Sequence, residues 1–200
     1  PVGIWWVEGL SEANGWWSAL LGGLLLDKGD AEAALMAFEQ AEELGPFWVR
    51  DRVGPAQALV ALGRIEEAES YLLEKIEKGA PYAGLRKELA LVYARRGKED
   101  EALKIMQEGI VLANNQDEFA GLAVRDLAEV SSDDLGIRLG ERLVLIGHAG
   151  PVFSTNLAVL YYRVDRKVDC RRLLDQAEVM MQKGLEETWE FLSPRCGPGP

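Results

Sequence analysis

Few residues of this chain have the type and spacing that catalysis or metal binding requires. His148 is the only histidine. It lies in a short loop between Gly147 and Gly150, so we expect a solvated side chain rather than a general base. No group of Cys, His and Asp has the spacing of metal ligands, and neither a phosphate-binding loop nor a nucleophile elbow occurs. The sequence therefore predicts a non-enzymatic protein with no catalytic residue, cofactor or metal.

The two cysteines, Cys170 and Cys196, are too few for a disulfide framework. Cys196 lies in a stretch rich in proline and glycine, residues 193–200, which predicts a flexible tail. A reducing compartment fits this cysteine content, and we expect a cytoplasmic protein. Periplasmic and membrane-tethered settings stay open, because a chain without an initiator methionine fits a fragment of a longer protein.

Tryptophan is concentrated near the start of the chain. Trp5-Trp6 and Trp16-Trp17 form two pairs 11 residues apart, which is about three turns of a continuous helix. One interpretation is that these rings form the packed core of a terminal cap. The other is an aromatic interface for a partner helix or a second copy of the chain, because tryptophan is enriched at binding hot spots.

The charge balance is strongly acidic, with 33 Asp and Glu against 22 Lys and Arg and a net charge of −11. This argues against nucleic acid, whose phosphates require a basic surface. No apolar run is long enough for membrane insertion. A protein or peptide is therefore the expected kind of partner.

A fixed interval of 34 residues organises the chain. Glycines recur at this interval in the sequence, and small residues recur at the same interval five positions later. Around them, apolar residues have helical spacing on both sides of each glycine, which is typical of helical hairpins stacked in an array. The glycines are Gly29, Gly63 and Gly97; the small residues are Ala34, Ala68, Ala102, Gly136 and Cys170.

The first such unit carries a recognisable pattern: Leu21-Gly22, Leu25, Ala34, Phe38, Ala41 and Pro46. This pattern resembles the tetratricopeptide repeat (TPR) family. The resemblance implies an all-α, right-handed superhelical solenoid of about five tandem TPR-like hairpins with terminal cap helices. The expected repeats are residues 15–48, 49–82, 83–116, 117–150 and 151–184. Residues 1–14 would form an N-terminal cap helix or the remnant of an upstream repeat, and residues 185–192 a C-terminal capping helix.

Two units depart from the pattern. Pro55 lies within the first helix of the second unit, so that helix is expected to start late or to kink. The fourth unit has Ser131 in place of the turn glycine and carries Gly136 and Gly140 in its second helix. Each glycine weakens a helix by about 1 kcal/mol relative to alanine, so the fourth unit is expected to be the softest.

In TPR arrays the first helices of successive repeats line a concave groove that holds a peptide. By resemblance, the groove here would use central cations, apolar anchors and two amides. The co-chaperone type of carboxylate clamp is absent, because Ala19, Gly23, Gly54, Gly84 and Glu88 stand at its positions, so chaperone tails are not expected. The predicted groove residues are Gln57, Lys87, Leu91, Arg95, Arg125, Asn156, Val159 and Tyr162.

The leading hypothesis is a protein-interaction scaffold or adaptor. One alternative is a regulatory or recruiting domain of a larger enzyme. Another is a self-assembly module in which the tryptophan-rich front end, with Trp5, Trp6, Trp16 and Trp17, docks on a second copy.

Overall fold

The computed structural model describes residues 4–44, 53–79, 82–178 and 186–197, and all regular elements in these ranges are helices. The chain divides into two compact units, residues 1–92 and 93–200. The helices are α1 (Ile4–Asp27), α2 (Ala31–Leu44), α3 (Gly54–Ala61), α4 (Ile65–Glu77), α5 (Ala83–Arg95), α6 (Glu99–Leu112), α7 (Gln116–Val130), α8 (Asp133–Leu145), α9 (Pro151–Arg163), α10 (Lys167–Glu178) and α11 (Glu186–Leu192).

The recurring glycines end the first helix of a hairpin in a left-handed backbone conformation. Gly29, Gly63 and Gly97 have φ values of +83°, +74° and +70°. At the first of these turns the Asp30 amide donates back to Leu25 O at 3.0 Å, and the following turns repeat this bond. Such a helix ending favours glycine, which has no Cβ to clash. The interval seen in the sequence therefore has a local cause.

The recurring small residues lie where two helices cross. Ala34, Ala68, Ala102 and Cys170 are fully buried in the second helices of their hairpins, which confirms the prediction for these positions. At Gly136 a Cβ atom would lie 2.6 Å from the Val124 carbonyl oxygen. The helices approach so closely at this crossing that even a methyl group does not fit.

In the first unit, α1 packs along α2, and α2 packs against α3. The Phe38 ring is enclosed by two glycines: a Cβ atom at Gly22 would lie 2.8 Å from it, and one at Gly54 2.4 Å. Helix α3 begins at Gly54 with Pro55 in its first turn and has eight residues. The predicted late start is thus present, because proline is tolerated at the beginning of a helix but not inside it.

Helix α1 runs without interruption from Ile4 to Asp27. Residues 4–14 are therefore continuous with the first helix of the first hairpin, and their role as a cap or as the remnant of an upstream repeat stays a prediction. No proline lies within the helix to break it.

In the second unit, side-chain hydrogen bonds cap the starts of α7, α8 and α9. Asn115 accepts a hydrogen bond from the Glu118 amide at the start of α7, and Ser132 accepts one from the Leu135 amide at the start of α8. The Asp117 carboxylate accepts from the Val152 amide at 3.0 Å and from the next amide at 2.9 Å. An acid of one hairpin thus caps the first helix of the next hairpin.

The end of the chain differs from the expectation. Cys170 and Cys196 are joined in a disulfide, and Cys196 is only 2% exposed. Cys196 is therefore held against the last hairpin, within the stretch that the sequence predicts to be a flexible tail, while residues 198–200 lie outside the described residues. The sequence did not indicate this pairing, because only the return of the chain after α10 brings the two cysteines together.

Within the described residues, no helix has the combination of length and apolar character that crossing a bilayer requires.

Candidate functional site

An open cavity of about 410 Å³ lies in the first unit. One stripe of α1 forms most of its wall, because residues spaced by three or four positions face the same way on a helix. Helices α2 and α3 complete it. The lining residues are Trp16, Ala19, Leu20, Gly23, Leu24, Asp27, Phe38, Gly54 and Gln57.

The glycines of α1 determine the shape of this cavity. Gly22 faces the Phe38 ring at close range, so α1 can approach α2 there. Gly23 points elsewhere, and a Cβ atom added to it would meet nothing within 4 Å. Gly22 is therefore needed for close packing of the two helices, whereas Gly23 leaves the cavity open.

The walls of the cavity are mainly apolar and accessible to solvent. Trp16 is 44% exposed, and Leu20 and Leu24 are also exposed. Exposed apolar side chains grouped at a concavity mark a binding surface more often than scattered ones do. Asp27 and Gln57 supply the polar part of the lining. The arrangement suits an apolar side chain flanked by groups that donate hydrogen bonds.

Gln57 is oriented by a neighbour on the next first helix. Its amide nitrogen Nε2 donates to Glu88 Oε1 at 2.9 Å, which directs the amide oxygen of Gln57 away from that carboxylate and leaves it as an acceptor. Lys87, also of α5, is half-buried, and Leu91 is only 7% exposed. The surface of Leu91 available to a partner in this chain is therefore small.

The remaining predicted groove residues lie in the second unit. Arg95 and Arg125 are exposed, and the Arg125 guanidinium pairs with Asp126 at 2.9 Å and approaches Glu129 at 3.7 Å. Arg125 thus pairs with acids of its own helix, and this pairing is an alternative to recognition of a partner. Gln57 belongs to the first unit, so its surface is described apart from that of the two arginines.

Helix α9 carries the other three predicted groove residues, and all are half-buried. The Asn156 amide donates to the Val152 carbonyl of its own helix at 2.9 Å. Val159 lies one turn further along, and Tyr162 packs edge to face against Phe191, with ring centroids 6.4 Å apart. Both Asn156 and Tyr162 thus already have partners within the chain.

Trp16 and Trp17 lie on different faces of α1. Trp17 is 61% exposed and lies outside the cavity lining, although its ring meets that of Trp16 edge-on at 4.6 Å. Trp5 and Trp6 belong to the same helix, but their side chains lie outside the described ones. The aromatic interface suggested by the sequence therefore has one member at the cavity and one on the adjacent surface.

His148 is not the solvated loop residue that the sequence predicts. Its ring is half-buried and packs edge-on against Phe153, with centroids 4.8 Å apart. Burial lowers the pKa of His148 from its usual 6.5, opposed by the nearby Asp117 carboxylate. Among the described residues, no group of three or more His, Cys, Asp or Glu side chains is arranged to hold a metal ion.

Sequence reasoning missed Leu20, Leu24 and Asp27 as lining residues. Their spacing from Trp16 was visible, because positions 16, 20, 24 and 27 follow one face of a helix. The sequence did not single them out because α1 is apolar on all sides. A helix of this kind shows no sequence pattern that separates an exposed face from a buried one.

No protein-family model matches the sequence, and no curated protein matches it. Solved structures do resemble it. PilF of Pseudomonas aeruginosa is 14% identical with a TM-score of 0.57, covering 92% of this chain and 90% of PilF. A thermophilic TPR protein of Thermus thermophilus is 17% identical with a TM-score of 0.54, covering 90% of this chain and 98% of the other.

A chain of the Cut9–Hcn1 hetero-tetramer of the APC/C also resembles this chain, with 17% identity and a TM-score of 0.50. The match covers 88% of this chain but only 35% of the chain in the hetero-tetramer, so this protein spans about a third of the length of that chain. At these identities the likenesses show a shared fold, which is the all-α helical-repeat fold.

Proposed function

We propose that this chain, which has the tetratricopeptide-repeat fold, is a non-enzymatic scaffold that binds a peptide or protein segment in the groove formed by its first helices. The observation that carries the proposal is the cavity beside α1, where Trp16, Leu20 and Leu24 are exposed together. A partner that covers them removes apolar surface from water, which stabilises a complex by about 25 cal/mol per Å² before the cost of association.

The cavity favours a partner with an apolar anchor and hydrogen-bond donors beside it. Trp16 offers a large, rigid contact surface, as binding hot spots do. Asp27 and the amide oxygen of Gln57 are acceptors at the polar side of the lining. A chain of net charge −11 also attracts a basic segment more readily than an acidic one.

The central cations suggest a second recognition element. Lys87, Arg95 and Arg125 would bind an acidic or carboxylate-bearing segment, because opposite charges attract. The ion pairs of Arg125 with Asp126 and Glu129 compete with such binding. For this reason the apolar cavity ranks first and the cationic residues second as the determinant of the partner.

The test begins with a peptide selected against the full chain from a displayed library, whose affinity is then measured by fluorescence anisotropy. Gly23→Leu places a side chain in the cavity at a position where Cβ meets no neighbour. We expect it to weaken binding roughly 5- to 150-fold without lowering the unfolding midpoint, because excluding one apolar anchor of the partner costs about 1–3 kcal/mol.

Trp16→Ala and Trp17→Ala form a matched pair on the same helix. We expect Trp16→Ala to weaken binding and Trp17→Ala to leave it unchanged, because only Trp16 lines the cavity. Equal affinity for all three variants and the unaltered protein would contradict the proposed groove.

A second candidate function is self-assembly through the adjacent face of α1. Trp17 and Leu21 are both more than half exposed there and do not line the cavity, and an apolar face of this kind invites association. Sedimentation velocity should then show a concentration-dependent oligomer that Trp17→Ser with Leu21→Ser converts to monomer. A monomer at all concentrations of the unaltered chain would remove this candidate.

A further inference from the structure

A disulfide attaches the C-terminal segment, residues 186–197, to the last hairpin. Cys170 of α10 and Cys196 are 26 residues apart in sequence, with Cα atoms 5.7 Å apart. Both side chains are buried. This Cα separation suits a disulfide without backbone movement. The bond therefore closes a loop that contains all of α11.

The C-terminal segment lies against α9, the first helix of the last hairpin. The Phe191 ring meets the Tyr162 ring edge to face, and Leu192 is buried. Tyr162 is one of the residues predicted to line the groove. The segment therefore covers one residue of the surface that a partner would use at this end of the chain.

The contacts of the segment other than the disulfide are modest. Arg171 Nη1 donates to Ser193 Oγ at 3.1 Å, while Phe191 and Arg195 are exposed. Helix α11 has only seven residues, and a helix of that length is not stable in water without tertiary support. The covalent bond therefore adds a restraint that the short helix does not supply by itself.

We propose that the Cys170–Cys196 disulfide is a redox latch, which keeps the C-terminal segment over Tyr162 when oxidised and releases it when reduced. The latch is closed in an oxidising compartment and opens on exposure to a dithiol reductant. The claim that release uncovers groove surface rests on the proposed function. The claim that reduction releases the segment is independent of it.

The opening reaction is thiol–disulfide exchange. A thiolate of the reductant attacks Cys196 Sγ, which is buried and is reached when the C-terminal segment opens locally. The bond between the two Sγ atoms breaks, and Cys170 leaves as a thiolate that takes up a proton. The second thiol of the reductant then attacks the mixed disulfide, releasing Cys196 as a thiol. Two electrons and two protons pass to the cysteine pair, and the reductant is left as a disulfide.

Hydrogen exchange of the full chain, with and without dithiothreitol, tests the latch. We expect protection of residues 186–197 to fall roughly 100-fold on reduction, because opening a closed loop of this length restores much chain freedom. Residues 116–145, in α7 and α8, should not change. Cys196→Ser should show the low protection in both conditions, whereas Ser193→Ala, which keeps both cysteines, should retain the dependence on reductant.

Two outcomes would overturn the latch. One is two titratable thiols in protein prepared without reductant, and the other is unchanged exchange of the segment after reduction. Binding is a separate measurement. If reduction releases the segment but no displayed peptide binds either form, the latch stands and the proposed groove is contradicted.

Discussion

Replacing each of the adjacent glycines of α1 by alanine tests the packing of the first unit. Gly22→Ala and Gly23→Ala add the same methyl group one residue apart in the same helix. Alanine is better than glycine in a helix interior by about 0.8–1.0 kcal/mol. This intrinsic gain is common to both variants and cancels when their stabilities are compared.

What differs is the surroundings of the added methyl group. At Gly22 it would lie 2.8 Å from Phe38 Cδ1 and Cε1, well inside van der Waals contact. The ring cannot retreat, because the backbone of Gly54 closes its other side, where a Cβ atom would lie only 2.4 Å from the same ring. Overpacking of this kind costs about 1–3 kcal/mol. At Gly23 the methyl group meets nothing within 4 Å.

We therefore expect Gly23→Ala to stabilise the chain by about 1 kcal/mol. Gly22→Ala should be less stable than Gly23→Ala by about 1–3 kcal/mol. For a chain of this size each kcal/mol corresponds to about 2–4 °C in the unfolding midpoint. Urea and thermal unfolding followed by far-UV circular dichroism measure the difference. Hydrogen exchange of α1 and α2 locates it, because repeats respond mainly with their neighbours.

Equal stabilisation by the two substitutions would refute the reasoning, because it would mean that Phe38 is not confined between Gly22 and Gly54. Phe38→Leu provides the control. In that background the penalty at Gly22 should shrink, since a smaller side chain leaves room for the methyl group.

Three further predictions concern other parts of the chain. Ala102→Leu should lower stability by about 1–3 kcal/mol, because its side chain is fully buried at a helix crossing; an unchanged thermal midpoint would show that Ala102 is outside the crossing. Acidification from about pH 7.5 to about pH 5.5 should destabilise the unaltered protein more than the His148→Gln variant. The pKa of His148 is lowered in the folded protein, so the unfolded chain binds more protons than the folded one over this range. Equal pH slopes of the two proteins in urea unfolding would disprove this. Arg95→Glu with Arg125→Glu should abolish binding of an acidic segment while the helical spectrum stays intact, and undiminished affinity would place polar recognition elsewhere.

The glycines of the fourth hairpin illustrate how the sequence can identify a position without its reason. Gly136 and Gly140 were expected to weaken α8 through low helix propensity, and that effect stays a prediction. The structure adds that a Cβ atom at Gly140 would lie 2.5 Å from Leu157 Cδ1 of α9. Propensity is a property of one residue, whereas this contact joins two helices that only the tertiary structure brings together.

The sequence alone determined the helical-repeat fold and the location of its turns. The reason is that the signals are local. The amide of a glycine with positive φ donates to the carbonyl three positions earlier, and the next amide donates to the carbonyl five positions before it. Ala34 and its equivalents follow at a constant distance, because a helix has a constant rise and the second helix always crosses the first at the same place.

Only the tertiary structure decided where surface for a partner remains and how the chain ends. The cavity exists because Phe38 draws α1 and α3 together while Gly23 leaves space beside them. The cysteine pair exists because the chain returns onto α10 after α11. Both depend on distances between elements remote in sequence, and these distances are set by the packing of many side chains at once rather than by any periodic pattern.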